Sequence, residues 1–138
     1  MEQPLLEIRN LKIDFLRDDE WSEVVHGIDF DVVAGRTLGI VGESGSGKSV
    51  SNLSVMHLLN SKQSRVKADA MLLEGMDIKD FSEKQMAEVR GKRIAMIFHF
   101  SHKYAFSLSC FISANCMDKE SLINNCFLFG RKRQVEII

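Results

Sequence analysis

In residues 5–15, LLEIRNLKIDF, the apolar Leu6, Ile8, Leu11, Ile13 and Phe15 roughly alternate with polar neighbours. That is the period-two pattern of a half-buried strand. RDDE (17–20) makes a polar turn, and WSEVVHGIDFDVVAG returns the chain, with Ile28, Phe30 and Val32 on one face, Asp29 and Asp31 on the other, and Gly35 at the close. An antiparallel pair with one wet face is predicted. TLGIV (37–41) is short and continuously apolar, the pattern of a strand buried on both faces. In KSVSNLSVMHLLN (48–60), Val50, Leu53, Val55, Met56, Leu58 and Leu59 nearly encircle a helical axis and predict a well-buried helix. Residues 60–67 read as a polar connection, and ADAMLLEGMDI (68–78) as a strand, a turn at Gly75 and a brief return. Ser82 with Gln85 makes a capping box for SEKQMAEVR, and Gly91 stands where a C-cap belongs. RIAMIF (93–98) is a second short apolar strand. Strand, helix and strand in that order predict a parallel α/β core carrying an antiparallel flap.

From His99 onward this rhythm stops. Residues 1–98 hold 13 Lys/Arg against 16 Asp/Glu, residues 99–138 hold 5 against 3, and Cys110, Cys116 and Cys126 all lie in the later part. The formal net charge of −1 gives no reason to expect nucleic acid or an anionic membrane surface as partner. An odd cysteine count without an export signal points to a reducing compartment and away from a disulfide framework. The opening MEQPLLEIRN carries charges where a signal peptide needs an apolar core. No run approaches the ~18 apolar residues of a membrane span, so a soluble protein is expected.

The chemistry lies in GESGSGKS (42–49), which fits G-x-x-x-x-G-K-[ST] between a predicted buried strand and a predicted helix. Gly42, Gly45 and Gly47 permit backbone angles that let the chain wrap closely round a phosphate. The N–H groups from Gly45 to Ser49 would then converge at a helix N-terminus as an anion nest. Lys48 supplies a compact positive charge for β- and γ-phosphates, and Ser49 a hydroxyl for Mg²⁺. A flexible Gly-Ser turn would not need Lys-Ser in register with the helix. A dinucleotide fingerprint would space its glycines differently. The motif therefore predicts a triphosphate site.

LLEIRNLKIDF, the Gly-Ile-Asp-Phe-Asp return strand and AGRTLGIVGESGSGKSV closely resemble the opening of an ABC transporter ATPase subunit. GESGSGKSV, LEGMDI and RGKRIAMIF resemble the oligopeptide/dipeptide importer branch. The resemblance spans about residues 5 to 98. It implies an α/β fold in which an incomplete P-loop NTPase core carries the antiparallel β flap and is followed by an irregular C-terminal tail. It implies ATP and Mg²⁺ as cofactors, with Gly42, Ser44, Gly45, Ser46, Gly47, Lys48, Ser49 and Val50 around the nucleotide and Ser49 on the metal. Phe15 matches the aromatic that stacks on adenine; Trp21 is its substitute, and a core phenylalanine in a hairpin is the structural alternative. Implied partners are transmembrane permease subunits and a second ATPase subunit, with the chain cytoplasmic and peripheral on the inner face of the plasma membrane when assembled.

The sequence also departs from that family. A glutamine that touches Mg²⁺ and the attacking water should end RIAMIF, and His99 stands there; Mg²⁺ prefers oxygen ligands. No LSGG occurs, and no apolar strand ending Asp-Glu follows Lys48. Without the carboxylates that anchor the metal shell and orient the water, weak or no hydrolysis is expected. The cysteines are too widely spaced for paired zinc ligands. GRKRQ (130–134) reads as a solvated basic patch, and His26, His57 and His102 lack companions at ligand spacing. Residues 1–98 thus read as the N-terminal part of a nucleotide-binding domain and 99–138 as a non-homologous, disordered tail. A frameshift or truncation after Phe98 explains the change, since His and Gln codons differ only in the third base. A non-catalytic nucleotide-binding remnant and a small P-loop kinase are the alternatives.

Overall fold

The computed structural model describes residues 3–96 and 135–137. The expectations for Phe98, His99, His102, Cys110, Cys116, Cys126 and GRKRQ lie outside the described residues.

Most of the regular secondary structure among the described residues is antiparallel sheet. Strand β1 (Leu6–Arg17) pairs along its whole length with β2 (Glu20–Val32). Its other edge is shared: Leu6–Arg9 pair with β5 (Ala70–Leu73), and Lys12–Phe15 with β4 (Ser64–Lys67). The second half of the expected polar connection is thus a strand. It is polar because three of its four residues are exposed. The short β6 (Met76–Asp77) returns on β5 through a two-residue turn in which Glu74 and Gly75 both have positive φ, the geometry favoured by tight hairpins.

The alternation in β1 changes phase between Ile8 and Leu11, yet Leu6, Ile8, Leu11 and Ile13 are all fully buried. A bulge reconciles the two halves. Arg9 and Asn10 together oppose Asp29, and the extra residue turns the second half back onto the core. Asn10 sits at this level with φ +49; its main-chain N–H donates to Asp29 Oδ1 at 2.6 Å and its side-chain Nδ2 to Asp69 Oδ2 at 3.1 Å. On the neighbouring strand Gly27 has φ +84, and a Cβ there would lie 2.6 Å from Asn10 Oδ1. Asp69 also donates its N–H to the Arg9 carbonyl at 3.0 Å, in the gap between β4 and β5. Three neighbouring strand lines therefore break at one level.

These bulges alter the expected faces of β2. Phe30 is buried and Val32 half-buried, but Ile28 is 36% exposed and Val25 takes an inner position. Gly27 is skipped between the Leu11–Ile28 and Lys12–His26 pairs, and a second skipped residue, Val24, between the Ile13–Val25 and Asp14–Glu23 pairs shifts the phase again.

Helix α1 (Lys48–Val55) ends five residues before the expected boundary at residue 60. Its buried face is Ser51, Asn52, Ser54 and Val55, while Leu58, beyond the helix, is 43% exposed. The buried hydroxyls are satisfied locally: Ser51 Oγ donates to the Gly47 carbonyl and Ser54 Oγ to that of Ser51. Helix α2 (Glu83–Val89) has the expected capping box, with the Ser82 N–H donating to Gln85 Oε1 at 2.9 Å and the Gln85 N–H to Ser82 Oγ at 3.4 Å. Gly91, with φ +76, follows its C-cap Arg90.

The strand preceding the glycine loop is β3 (Thr37–Gly39), and its parallel neighbour is β7 (Val135–Ile137). Two expectations change here. Residues 93–96 form an isolated bridge between Ile94 and Arg90 and do not pair with β3, and residues 135–137 of the supposedly irregular tail are a strand. Nor is 37–41 buried on both faces: Leu38, Gly39 and Ile40 are half-buried and Val41 is 61% exposed, because β7 is the only strand paired with β3 among the described residues. Among those residues no helix is long and apolar enough to cross a membrane.

Candidate functional site

The loop 42–47 leads directly into α1, whose N-cap is Gly47 in the left-handed region with φ +88. This position requires glycine twice over: L-residues resist that angle, and a Cβ would lie 2.8 Å from Val25 Cγ2 and 3.4 Å from the Val24 carbonyl oxygen. Gly47 is thus seated on β2 at its second irregularity. Nothing in the local sequence marks Val25 as that seat, because the contact arises only once β1 and β2 have paired.

Gly47 offers no side chain to cap the helix, and α1 has no acidic residue in its first turn. The first helical bond runs from the Ser51 N–H to the Gly47 carbonyl at 2.8 Å. The N–H groups of Lys48, Ser49 and Val50 therefore precede the intrahelical ladder. A lysine at the first position opposes the helix dipole, and an anion bound there would complement both. This end of the helix has the electrostatics of an anion site.

Lys48 reaches back over the loop. Its Nζ donates to the carbonyl oxygens of Gly42 and Glu43, both at 2.6 Å, and to Ser46 Oγ at 2.8 Å. Ser44 and Gly45 lie at the exposed tip of the turn closed by the Ser46 N–H donating to the Glu43 carbonyl at 3.2 Å. Ser49 and Val50 are half-buried in the first turn of α1, with Val50 packed against the core. The structure thus gathers Gly42, Ser44, Gly45, Ser46, Gly47, Lys48, Ser49 and Val50 into one loop and helix start.

Phe15 is on β1, paired with Ser22 on one side and Ser64 on the other, half-buried and packed against the core. It is two residues along β1 from Ile13, the partner of Val25, a rise of about 7 Å from the level of the Gly47 seat. Trp21, opposite Leu16, is 37% exposed and has the Arg65 guanidinium 3.6 Å above its ring. His26 Nδ1 contacts Glu23 Oε1 at 2.9 Å on the exposed surface. Among the described residues no group of three or more His, Cys, Asp or Glu could hold a metal ion.

The chain is similar to known proteins over its N-terminal two thirds. The chain is 43% identical over 94 residues to a protein of Sinorhizobium fredii named "Probable peptide ABC transporter ATP-binding protein", covering 68% of this chain and 28% of the relative. It is 42% identical over 94 residues to an oligopeptide transport ATP-binding protein of Bacillus subtilis, covering 68% of this chain and 29% of the relative. It is also 37% identical over 97 residues to a dipeptide transport ATP-binding protein of Lactococcus lactis, covering 70% and 28%. The chain thus spans under a third of the length of these relatives. A bacterial Atm1-family ABC exporter solved with ATP bound aligns with 64% of this chain and 14% of its own, at 28% identity and a TM-score of 0.45. Residues 25–121 match the ABC transporter family, a match that takes in the whole glycine loop and α1 and runs past Phe98. The chain belongs to the ABC transporter family.

Proposed function

We propose that this chain supplies the nucleotide-binding N-terminal part of an ATP-binding subunit of a peptide importer. The observation that carries the reading is the glycine loop itself: Gly47 locked onto β2, Lys48 folded over the loop, and an uncapped helix start behind it. In this reading the loop amides and Lys48 take the phosphates of ATP, in an α/β P-loop core begun by β3 and α1. Phe15, near the level of the Gly47 seat, takes the adenine. Ser49 would hold Mg²⁺. It is one hydroxyl, which suits an ion that keeps waters and shares substrate phosphates, and the ion would neutralise phosphate charge. The relatives' names support peptide import as the transport process.

Residues 1–98 are proposed as the domain part and 99–138 as a separate tail, on the change of periodicity at His99. Transmembrane permease subunits and a second ATPase subunit are the proposed partners, which would hold the chain on the inner face of the plasma membrane. Titration of the 138-residue chain with Mg-ATP tests the reading. Saturable binding lost in Lys48→Ala, with weak or no hydrolysis, is the expected result. No binding by a cooperatively folded chain would overturn the assignment. Lys48-dependent turnover at the rate of an intact transporter would overturn the prediction of weak hydrolysis.

A further inference from the structure

The ammonium of Lys48 has three protons, and the loop accepts all three. Two acceptors are main-chain carbonyls, held by the path of the loop. The third, Ser46 Oγ, is a side chain with its own freedom to rotate. Its place is made by another residue: a Cβ on Gly42 would lie 2.8 Å from Ser46 Oγ and 3.4 Å from Lys48 Nζ. The turn from Glu43 to Ser46 brings the hydroxyl to this point.

We propose that Ser46 is the positioning residue for Lys48, its hydroxyl seated in the space that Gly42 leaves free. Ser46 holds the lysine over the loop, so that the ammonium meets a β- or γ-phosphate without first being gathered from solvent. As the phosphate arrives, the Ser46 contact is the one that yields, because the carbonyl contacts are set by the backbone. The hydroxyl then has its own proton free to donate to a phosphate oxygen. Gly42, which unlike Gly45 and Gly47 has no positive φ, therefore serves the site through a side chain four positions on rather than through its backbone angle.

The nucleotide arm of this assignment rests on the function proposed above; the lysine arm does not. An ammonium with all its protons accepted must break a contact before it can react. Acetic anhydride labelling of Lys48 in the whole chain, measured against exposed Lys62, reads that contact directly. Ser46→Ala is expected to speed Lys48 labelling and weaken ATP and ADP binding, each roughly 3- to 10-fold, the low end for a charged hydrogen bond at an exposed site. Ser46→Thr keeps the hydroxyl and is expected to restore both. Gly42→Ala is expected to reproduce the Ser46→Ala effect, and the double variant to lose no more than either single one. Should Gly42→Ala fail to melt cooperatively, the Ser46 variants decide alone. Unchanged labelling and affinity in Ser46→Ala would overturn the assignment, as would effects that multiply in the double variant. If the unsubstituted chain binds no ATP while the labelling pattern holds, the proposed function fails and the Ser46 assignment stands.

Discussion

Arg90 Nη2 donates to the main-chain carbonyl of His57 at 3.0 Å, although 33 positions separate the two residues. The same guanidinium donates through Nε to the Met56 carbonyl at 2.8 Å and pairs through Nη1 and Nη2 with Glu83 at the start of α2. His57 is where α1 stops. It has φ +52, its N–H donates to the Ser54 carbonyl at 3.0 Å, and the Leu58 N–H donates to that of Leu53 at 2.9 Å. Those two bonds make a Schellman motif with histidine in the position usually given to glycine. Arg90 thus covers the carbonyl end of the helix whose other end carries the glycine loop.

Arg90→Ala is expected to lower stability by about 1–3 kcal/mol, because a largely buried charged donor is removed from two carbonyls and a carboxylate. Arg90→Lys should recover little, since an ammonium cannot reproduce the fork. The urea midpoint measures both variants; a lysine variant as stable as the parent would contradict the clamp.

The pH dependence of this corner follows from His57. Burial, and after it the positive charge of Arg90, hold its pKa below the ordinary value of 6.5. The unfolded chain therefore takes up this proton more readily. The contribution to stability is fully present above about pH 6.5 and is lost as pH falls through the depressed folded value. His57→Asn tolerates the left-handed backbone and does not titrate there. Its unfolding free energy should be flatter than the parent's between about pH 7 and pH 5. Parallel curves would remove His57 from the account.

Gly47→Ala introduces both a disfavoured φ and a collision with Val25. A loss of about 2 kcal/mol or more is expected, together with loss of nucleotide binding. Adding Val25→Ala should relieve the collision and leave the backbone term, so the double variant should recover part of the binding. Titration with Mg-ATP alongside urea unfolding separates the two. No recovery would place the whole effect on the backbone angle.

Deleting Asn10 should be far more damaging than Asn10→Gly. The deletion removes the extra residue and turns Leu6 and Ile8 away from the core, and each such side chain carries about 1.5–3 kcal/mol of burial. Asn10→Gly keeps the count and the positive φ and loses only the side-chain bond to Asp69. Circular dichroism melts of the two variants provide the comparison; equal melts would mean that the bulge does not set the register.

Features governed by neighbours within a few residues were legible in the sequence. The Ser82–Gln85 box, the Glu74–Gly75 turn and the glycine loop with Lys48 at the head of a helix each depend on short-range hydrogen bonds or backbone angles, so residue types at fixed spacing specify them. The β1–β2 pair was legible for the same reason, its turn being short. What depends on partners far along the chain required the folded molecule. The Asn10 bulge is completed by Gly27 and Asp69, the loop is seated on Val25, and the carbonyls of Met56 and His57, just past the end of α1, are held by Arg90. Ile28 looked like a core residue because alternation assumes an unbroken ladder, and the ladder breaks on either side of it, at the extra residue of β1 opposite Asp29 and at the skipped Gly27 of β2. Likewise an apolar run such as 37–41 states a capacity for burial, while the neighbours that pack against it decide how much is used. In this chain Val41 remains 61% exposed, and β3 pairs with β7 and not with residues 93–96.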